Sequence, residues 1–364
     1  MNRRKFIKNI SFSLLSTLFY NSIIFGKENK YKAFFFEKLN NNKVRCHLCP
    51  NNCILSDGRY GVCRVRKNVG GELFSMNYSE IAAIHIDPIE KKPLFHFKPG
   101  AQALSIASAG CNLRCKFCQN WEISQFKSSQ LQTRTMEEMD LIAIGKDENI
   151  PIIAYTYSEP IIFYEFMYNL AKVSREYGVQ NVMISAGFIN KEPLKKLFDV
   201  LDAIKIDLKS FSDDYYRKIC GGRLKPVLDN LVEIKKNGIW LEIVYLIVPT
   251  LNDSDDEIRS MVRWVKQNLG TDVPLHFSRF YPQYKMKNLP PTPVKTIERA
   301  CEIAYNEGLN YVYAGNIPGN KYENTYCPKC GAVLIQRYGY YILQKSIVSG
   351  KCKNCGQEIA GVWM

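Results

Sequence analysis

The sequence predicts an α/β fold on a parallel sheet, open or closed into a barrel, with a cysteine-rich module before it and another after it. Three observations carry this expectation. From about Ala103 to Ala314, short β-branched or apolar runs alternate with amphipathic helical stretches, as strands with crossover helices would. The chain has 364 residues, 46% of them hydrophobic, enough to bury one sizeable core plus small attached modules. Eleven of the 13 cysteines fall into three tight clusters, one ahead of the alternating region, one at its start and one behind it.

The first thirty residues lie outside this scheme. Arg3-Arg4-Lys5-Phe6-Ile7-Lys8 resembles a twin-arginine motif, and Ile10 to Phe25 is moderately apolar, as a short export-signal core can be. No small-x-small cleavage site follows, so a basic amphipathic or anchoring tail is the competing reading. The expected location is export or membrane association, with the cytoplasm as the alternative. Beyond this segment, no apolar run approaches the length of a bilayer-spanning helix. The expected organisation is a signal or anchor over 1–30, a four-cysteine module and linker over 31–100, a core over 101–320 and a second four-cysteine module over 321–364.

Within the core, strands are expected at Leu104–Ala107, Ile152–Tyr155, Val182–Ser185, Ala203–Ile206, Leu241–Ile247, Leu275–Phe277 and Tyr311–Tyr313. Thr135-x-x-Glu138 reads as a capping box. Gly178, Gly238 and Gly308 stand where a glycine just past a helix belongs. In such folds the chemistry sits at the C-terminal ends of the strands.

The formal charge of +14 would suit a polyanionic partner, but residues 1–30, 41–70 and 321–364 contribute +5, +5 and +4 and the remainder is neutral. Two of those segments are cysteine clusters, where metal bound by thiolates leaves a negative site for the basic residues to compensate. Nucleic acid is therefore not the expected partner.

Directly after the first core strand comes Gly110-Cys111-Asn112-Leu113-Arg114-Cys115-Lys116-Phe117-Cys118. Cys111, Cys115 and Cys118 supply three thiolates. A cubane has four irons, so three protein ligands leave one iron open to a small molecule. An open iron can chelate the amino and carboxylate groups of S-adenosylmethionine (SAM) and deliver an electron to its sulfonium. The rival is a zinc or ferredoxin-like site that borrows a fourth cysteine.

Cys327-Pro-Lys-Cys330-Gly331 and Cys352-Lys-Asn-Cys355-Gly356 are two knuckles around a hairpin-like segment, the pattern of a zinc ribbon, with rubredoxin-type iron as the chemical rival. Cys46, Cys49, Cys53 and Cys63 place four thiolates in a segment poor in apolar residues that needs metal to hold together, either zinc or an auxiliary [4Fe–4S] cluster. His47 only fills that loop. Cys220 and Cys301 have no partners at motif spacing and read as packing or surface residues.

The central motif resembles that of the radical SAM superfamily, whose fold is a partial (β/α)6 barrel. From Arg45 onward the chain is more similar to the activating enzymes of glycyl-radical enzymes, such as the pyruvate formate-lyase-activating group, and to the radical SAM member of the AmmeMemoRadiSam group. The likeness rests on Cys46-His47-Leu48-Cys49-Pro50, Thr156-Tyr157-Ser158-Glu159-Pro160, Ile206-Asp207-Leu208-Lys209, Val248–Asp253, His276–Pro282 and the terminal cysteine module. The resemblance implies that Glu159 binds the SAM amino group, although Tyr157 and Ser158 replace the family's two glycines. It implies a SAM contact for Asp207 and Lys209, which point the same way along a strand. A solvated loop acid and a plain ion pair are the respective alternatives. In Ser185-Ala186-Gly187-Phe188, Ala186 stands where the family has asparagine, which removes a side-chain ligand. Tyr281 takes the place of a SAM-contacting histidine, and His276 and Arg279 face substrate or serve structure.

The implied function is reductive cleavage of SAM to a 5′-deoxyadenosyl radical for hydrogen abstraction, with a low-potential electron donor and with a partner protein as one target. Radical modification of RNA is an alternative, as is an iron–sulfur electron carrier that does not turn over SAM.

Overall fold

The computed structural model describes residues 30–363, so the twin-arginine-like segment lies outside the described residues. The core is an eight-stranded sheet of β1 (Ala83–Pro88), β2 (Gln102–Ala107), β3 (Ile152–Tyr155), β4 (Gln180–Ser185), β5 (Ala203–Asp207), β6 (Trp240–Ile247), β7 (Leu275–Arg279) and β8 (Val312–Gly315). Each strand pairs with its neighbours in chain order, from β1 at one edge to β8 at the other. β2 to β8 run parallel, and β1 joins β2 antiparallel. The registers are direct, with Ile152 opposite both Ala103 and Gln180.

Helices α1 (Glu138–Asp147), α2 (Tyr164–Glu176), α3 (Lys191–Leu197), α4 (Leu224–Lys236), α5 (Asp255–Leu269) and α6 (Val294–Asn306) lie between successive parallel strands. Six strand–helix units followed by a seventh parallel strand make the (β/α)6 pattern. All four residues of β3 are buried, as are the last five of β2, because helices cover the sheet. In α5, Ile258, Met261, Val262, Val265 and Leu269 form the buried stripe. The Ser254 hydroxyl caps its start by accepting from the Glu257 N–H at 3.3 Å, and Asp255, Asp256 and Glu257 complement the helix dipole. Gly178, Gly238 and Gly308 follow α2, α4 and α6 with positive φ, as the sequence predicts.

The predicted capping box does not form. Thr135 belongs to a two-residue strand paired with Glu80–Ile81, and its hydroxyl donates to Glu80 Oε1 at 2.9 Å. The helix cap shifts to Glu137, whose N–H donates to Asp140 Oδ2 at 2.9 Å. A side-chain bond to Glu80 outcompetes a local cap that would leave this carboxylate with less support.

Ahead of β1, short antiparallel strands carry the first cysteine cluster, including Lys43–Cys46 and Arg66–Val69. Behind β8, β9 (Val333–Tyr338) and β10 (Tyr341–Lys345) form the antiparallel hairpin expected between the two knuckles. Leu334 and Ile335 pack with Phe95, Tyr311 and Tyr313 into a core shared by this module and the sheet. No helix among the described residues is long and apolar enough to cross a membrane.

Candidate active site

The loop after β2 carries Cys111, Cys115 and Cys118. Gly110 opens it with φ near 100°, and a Cβ there would meet the Cys63 carbonyl oxygen at 2.6 Å, so only glycine fits. The loop is pinned by backbone bonds from Arg114 N–H to Cys220 O (2.7 Å) and from Lys116 N–H to Ile219 O (3.0 Å). The Asn112 amide donates to Phe188 O at 2.7 Å. All three cysteines line a cavity of about 1000 Å³ at the C-terminal ends of the parallel strands, together with Glu159, Asp207, Lys209 and Tyr281. The structure thus brings together every residue predicted for the cluster and the SAM site. The three sulfurs do not all lie within the 4.8 Å spacing of a single-ion site. A wider set of three thiolates beside a large cavity fits a cubane with one open corner.

Glu159 follows β3 and is buried. Its carboxylate accepts from the Ser185 hydroxyl at 2.6 Å and from the Ala186 N–H at 2.8 Å. The backbone of Ala186 therefore serves Glu159 even though its side chain offers no ligand. Burial pushes the Glu159 carboxyl above the ordinary carboxylate range, against the pull of these hydrogen bonds. Tyr157 takes φ near 61°, a left-handed conformation that suits glycine, and its carbonyl accepts from the Asn120 amide at 2.7 Å. Ser158 donates to Ser108 O at 2.6 Å. The two residues that replace glycine are thus fastened to the cysteine loop and to the end of β2.

Asp207 ends β5. Lys209 donates to its Oδ2 at 3.0 Å, and Lys205 donates to its other oxygen. Burial alone would raise the Asp207 carboxyl, but the two ammonium groups reverse this and hold it at about 2. Burial would lower Lys209, and Asp207 and the Cys115 sulfur instead raise it. Tyr281 is 43% exposed on the cavity wall, with its hydroxyl accepting from Arg279 at 3.0 Å. His276 also lines the cavity, but its Nε2 is engaged by Glu242 at 2.7 Å.

Sequence reasoning missed several cavity residues. Lys205 occupies the same strand face as Asp207 and Lys209, at the i, i+2, i+4 spacing that could have found it. Lys92 is buried on the cavity wall, donates to Asp87 at 2.6 Å, and is lowered by burial to about 8. The Tyr157 hydroxyl bonds the same Asp87 carboxylate. Tyr338, Tyr340 and Tyr341, around the tip of the β9–β10 hairpin, form another wall. Cys220 is buried as packing would require, and its thiol pulls the Cys115 pKa below the ordinary thiol value. Cys301 is a buried packing residue within α6.

The C-terminal cysteines converge. The sulfurs of Cys327, Cys330, Cys352 and Cys355 all lie within 4.8 Å of one another, so this group could hold one metal ion. Gly331 and Gly356 donate their N–H groups to the carbonyls of Cys327 and Cys352, each at 2.9 Å, closing the two knuckles.

Residues 105–265 match the family model of the radical SAM superfamily. The uncharacterized protein MJ0808 of Methanocaldococcus jannaschii is 48% identical over 330 residues, which cover 90% of this chain and 98% of that one. The chain belongs to the radical SAM superfamily. Among more distant relatives, the pyruvate formate-lyase-activating enzyme of Clostridium pasteurianum is 25% identical over 160 residues, covering 43% of this chain and 66% of that one. Among solved structures, SuiB of Streptococcus suis bound to S-adenosylmethionine aligns with a TM-score of 0.48 and 13% identity, over 63% of this chain and 53% of that one.

Proposed function

We propose that this chain binds a [4Fe–4S] cluster through Cys111, Cys115 and Cys118 and cleaves SAM reductively to abstract hydrogen from a target at the cavity mouth. One observation carries the reading: the three cysteines, Glu159, and the pair Asp207 and Lys209 come from the ends of three different strands and line one cavity. An electron carrier would need the cysteines alone. When bound, the cluster supplies the electron that splits SAM into methionine and a 5′-deoxyadenosyl radical.

The chain's own residues bind and orient. Glu159, fixed by Ser185 and Ala186, keeps lone pairs free to accept from the SAM ammonium. Lys209 and Asp207 offer a donor and an acceptor for the rest of the ligand, and Lys205 keeps Asp207 ionised. Tyr281 supplies an exposed ring on the cavity wall. The electron comes from a low-potential donor.

For the target we favour a segment of a partner protein, as the names of the activating-enzyme relatives suggest. Tyr338, Tyr340 and Tyr341 are 58%, 44% and 73% exposed and offer such a segment an aromatic rim. We assign zinc to the C-terminal four cysteines, on the basis of sulfur contacts of 3.6 and 3.8 Å.

The test is anaerobic cluster reconstitution, reduction with dithionite, addition of SAM and assay for 5′-deoxyadenosine. The loaded protein should form it and Cys115→Ala should not. A fully loaded chain that makes none would end the enzyme reading.

A further inference from the structure

The four N-terminal cysteines enclose a second, smaller cavity. Cys46 ends the strand Lys43–Cys46, Cys49 and Cys53 occupy the segment after it, and Cys63 lies just before the strand Arg66–Val69. All four line one pocket, whose other walls include Leu48, Leu55, Ile161 and Ile162. Three of the four are buried. None pairs as a disulfide.

The spacing of the sulfurs separates two kinds of occupant. A tetrahedral zinc site with bonds of about 2.3 Å holds its thiolates about 3.8 Å apart. The C-terminal four match this, at 3.6 Å between Cys327 and Cys355 and 3.8 Å between Cys330 and Cys352. Among the described residues, no three of the N-terminal sulfurs come within 4.8 Å of one another. Two sites with the same four ligands therefore differ in span within one chain. The wider one suits four irons at alternate corners of a cube, each carrying one thiolate.

The surroundings offer donors to the sulfurs. Arg66 is 1% exposed, lines the pocket, and donates Nη1 to the Cys46 sulfur at 3.7 Å. Its Nε–H has no hydrogen-bond partner. Its Nη2 pairs with the buried Glu165 carboxylate, so what Arg66 offers a cluster core held by four thiolates is N–H donors toward the sulfurs, at Nη1 and at the unpartnered Nε.

The pocket also abuts the central loop. Gly110 packs so closely on the Cys63–Val65 segment that a Cβ would stand 2.9 Å from Val65 Cγ1. Arg64 donates to Cys111 O at 3.4 Å, and Asn51 donates to Asn112 O at 2.9 Å. Asn112 lines the small pocket, while Cys111 and Leu113 on either side of it line the large cavity. One residue thus separates the two sites along the chain.

We propose that Cys46, Cys49, Cys53 and Cys63 hold a second [4Fe–4S] cluster, closed by four protein thiolates, which passes single electrons to the cluster of Cys111, Cys115 and Cys118. A low-potential one-electron donor reduces the N-terminal cluster from the 2+ to the 1+ state. Passing that electron on returns it to 2+ and takes the central cluster from 2+ to 1+. The relay rests on the function proposed above; the identity of the bound group does not.

The test reconstitutes the full chain anaerobically with iron and sulfide, counts metals, and records electron paramagnetic resonance after dithionite reduction. The variant Cys111→Ala/Cys115→Ala/Cys118→Ala should retain about four irons and four sulfides per chain, with a reduced-cluster signal, beside about one zinc. Replacing Cys49→Ser/Cys53→Ser in the otherwise natural chain should halve its iron. An iron-free triple variant that keeps one or two zincs overturns the proposal. So does an iron count that Cys49→Ser/Cys53→Ser leaves unchanged, which is decisive even if the triple variant does not fold. Two reduced clusters in contact should broaden each other's signals; a natural-chain spectrum equal to the sum of the two variants' spectra overturns the relay.

Discussion

Lys205 and Lys209 hold the Asp207 carboxyl below its ordinary range at the cavity wall, and that dependence can be read as a function of pH. Its carboxyl drops from the ordinary 3.8 to about 2 on folding. The unfolded chain therefore takes up this proton first as pH falls, so the stabilisation is full above about pH 4 and lost as pH falls through about 2. A shift of this size corresponds to about 2 kcal/mol. In urea unfolding of the metal-free chain, Asp207→Asn should be less stable than the natural sequence by that order at pH 6, and the gap should close toward pH 2. A gap that stays constant with pH would mean that the lysines do not set the Asp207 ionisation. Glu159 is the second test at this scale. Glu159→Gln keeps the shape of the side chain but removes the charge that meets an ammonium, an interaction of about 1.5–3 kcal/mol. SAM affinity measured by calorimetry on the reconstituted protein should fall by roughly 10- to 100-fold. The Ser185 and Ala186 contacts should keep the fold intact.

The element that matters most is the β2 loop, because Gly110 lets it lie directly on the N-terminal cysteine segment. Gly110→Ala places a methyl 2.6 Å from a backbone oxygen at a positive φ, and no flexible side chain is there to give way. The expected cost is above about 2 kcal/mol, seen as a lower melting temperature and reduced iron loading in the same preparation. This contact was invisible in the sequence, where Gly110 is only the residue before a cysteine. Elements buried on both faces were legible. The seven parallel strands are mostly apolar runs, and each lies within two residues of its predicted bounds at every shared end. β1 was not legible, because as an edge strand it leaves Ile86 46% exposed and gives no continuous run. Thr135 misled because its partner, Glu80, arrives from a distant segment. The same division holds in the site. Cys111, Cys115, Cys118, Glu159, Asp207 and Lys209 sit on loops or strand ends with recognisable spacing, whereas Lys92, held by Asp87, reaches the cavity from outside the strand–helix repeat.

Across the whole molecule, the C-terminal module does more than terminate the chain, since its hairpin tip walls the large cavity while its base is locked beneath the sheet. Arg337 is the lock. It is buried, donates to the Phe95 carbonyl and to the Thr325 hydroxyl, both at 2.9 Å, and stacks 4.2 Å from the Phe95 ring centre. Phe95 in turn packs on His276, whose Nε2 meets Glu242, and Glu242 accepts from the Phe95 and His96 N–H groups. One buried network therefore ties the module to the β6 and β7 side of the cavity. Arg337→Met keeps the aliphatic bulk but strips these donors, leaving the Phe95 carbonyl without this partner, a loss of about 1–3 kcal/mol. The effect should appear as faster amide exchange over the β9–β10 hairpin, with β3 to β5 unchanged. Cys330→Ser/Cys352→Ser should reach the same end by another route, losing about one metal ion per chain and loosening the hairpin while the central cysteines still load iron. If the hairpin stays protected in both variants, the module is held by the apolar contacts of Leu334 and Ile335 alone, and neither the ion nor Arg337 positions the tyrosine wall.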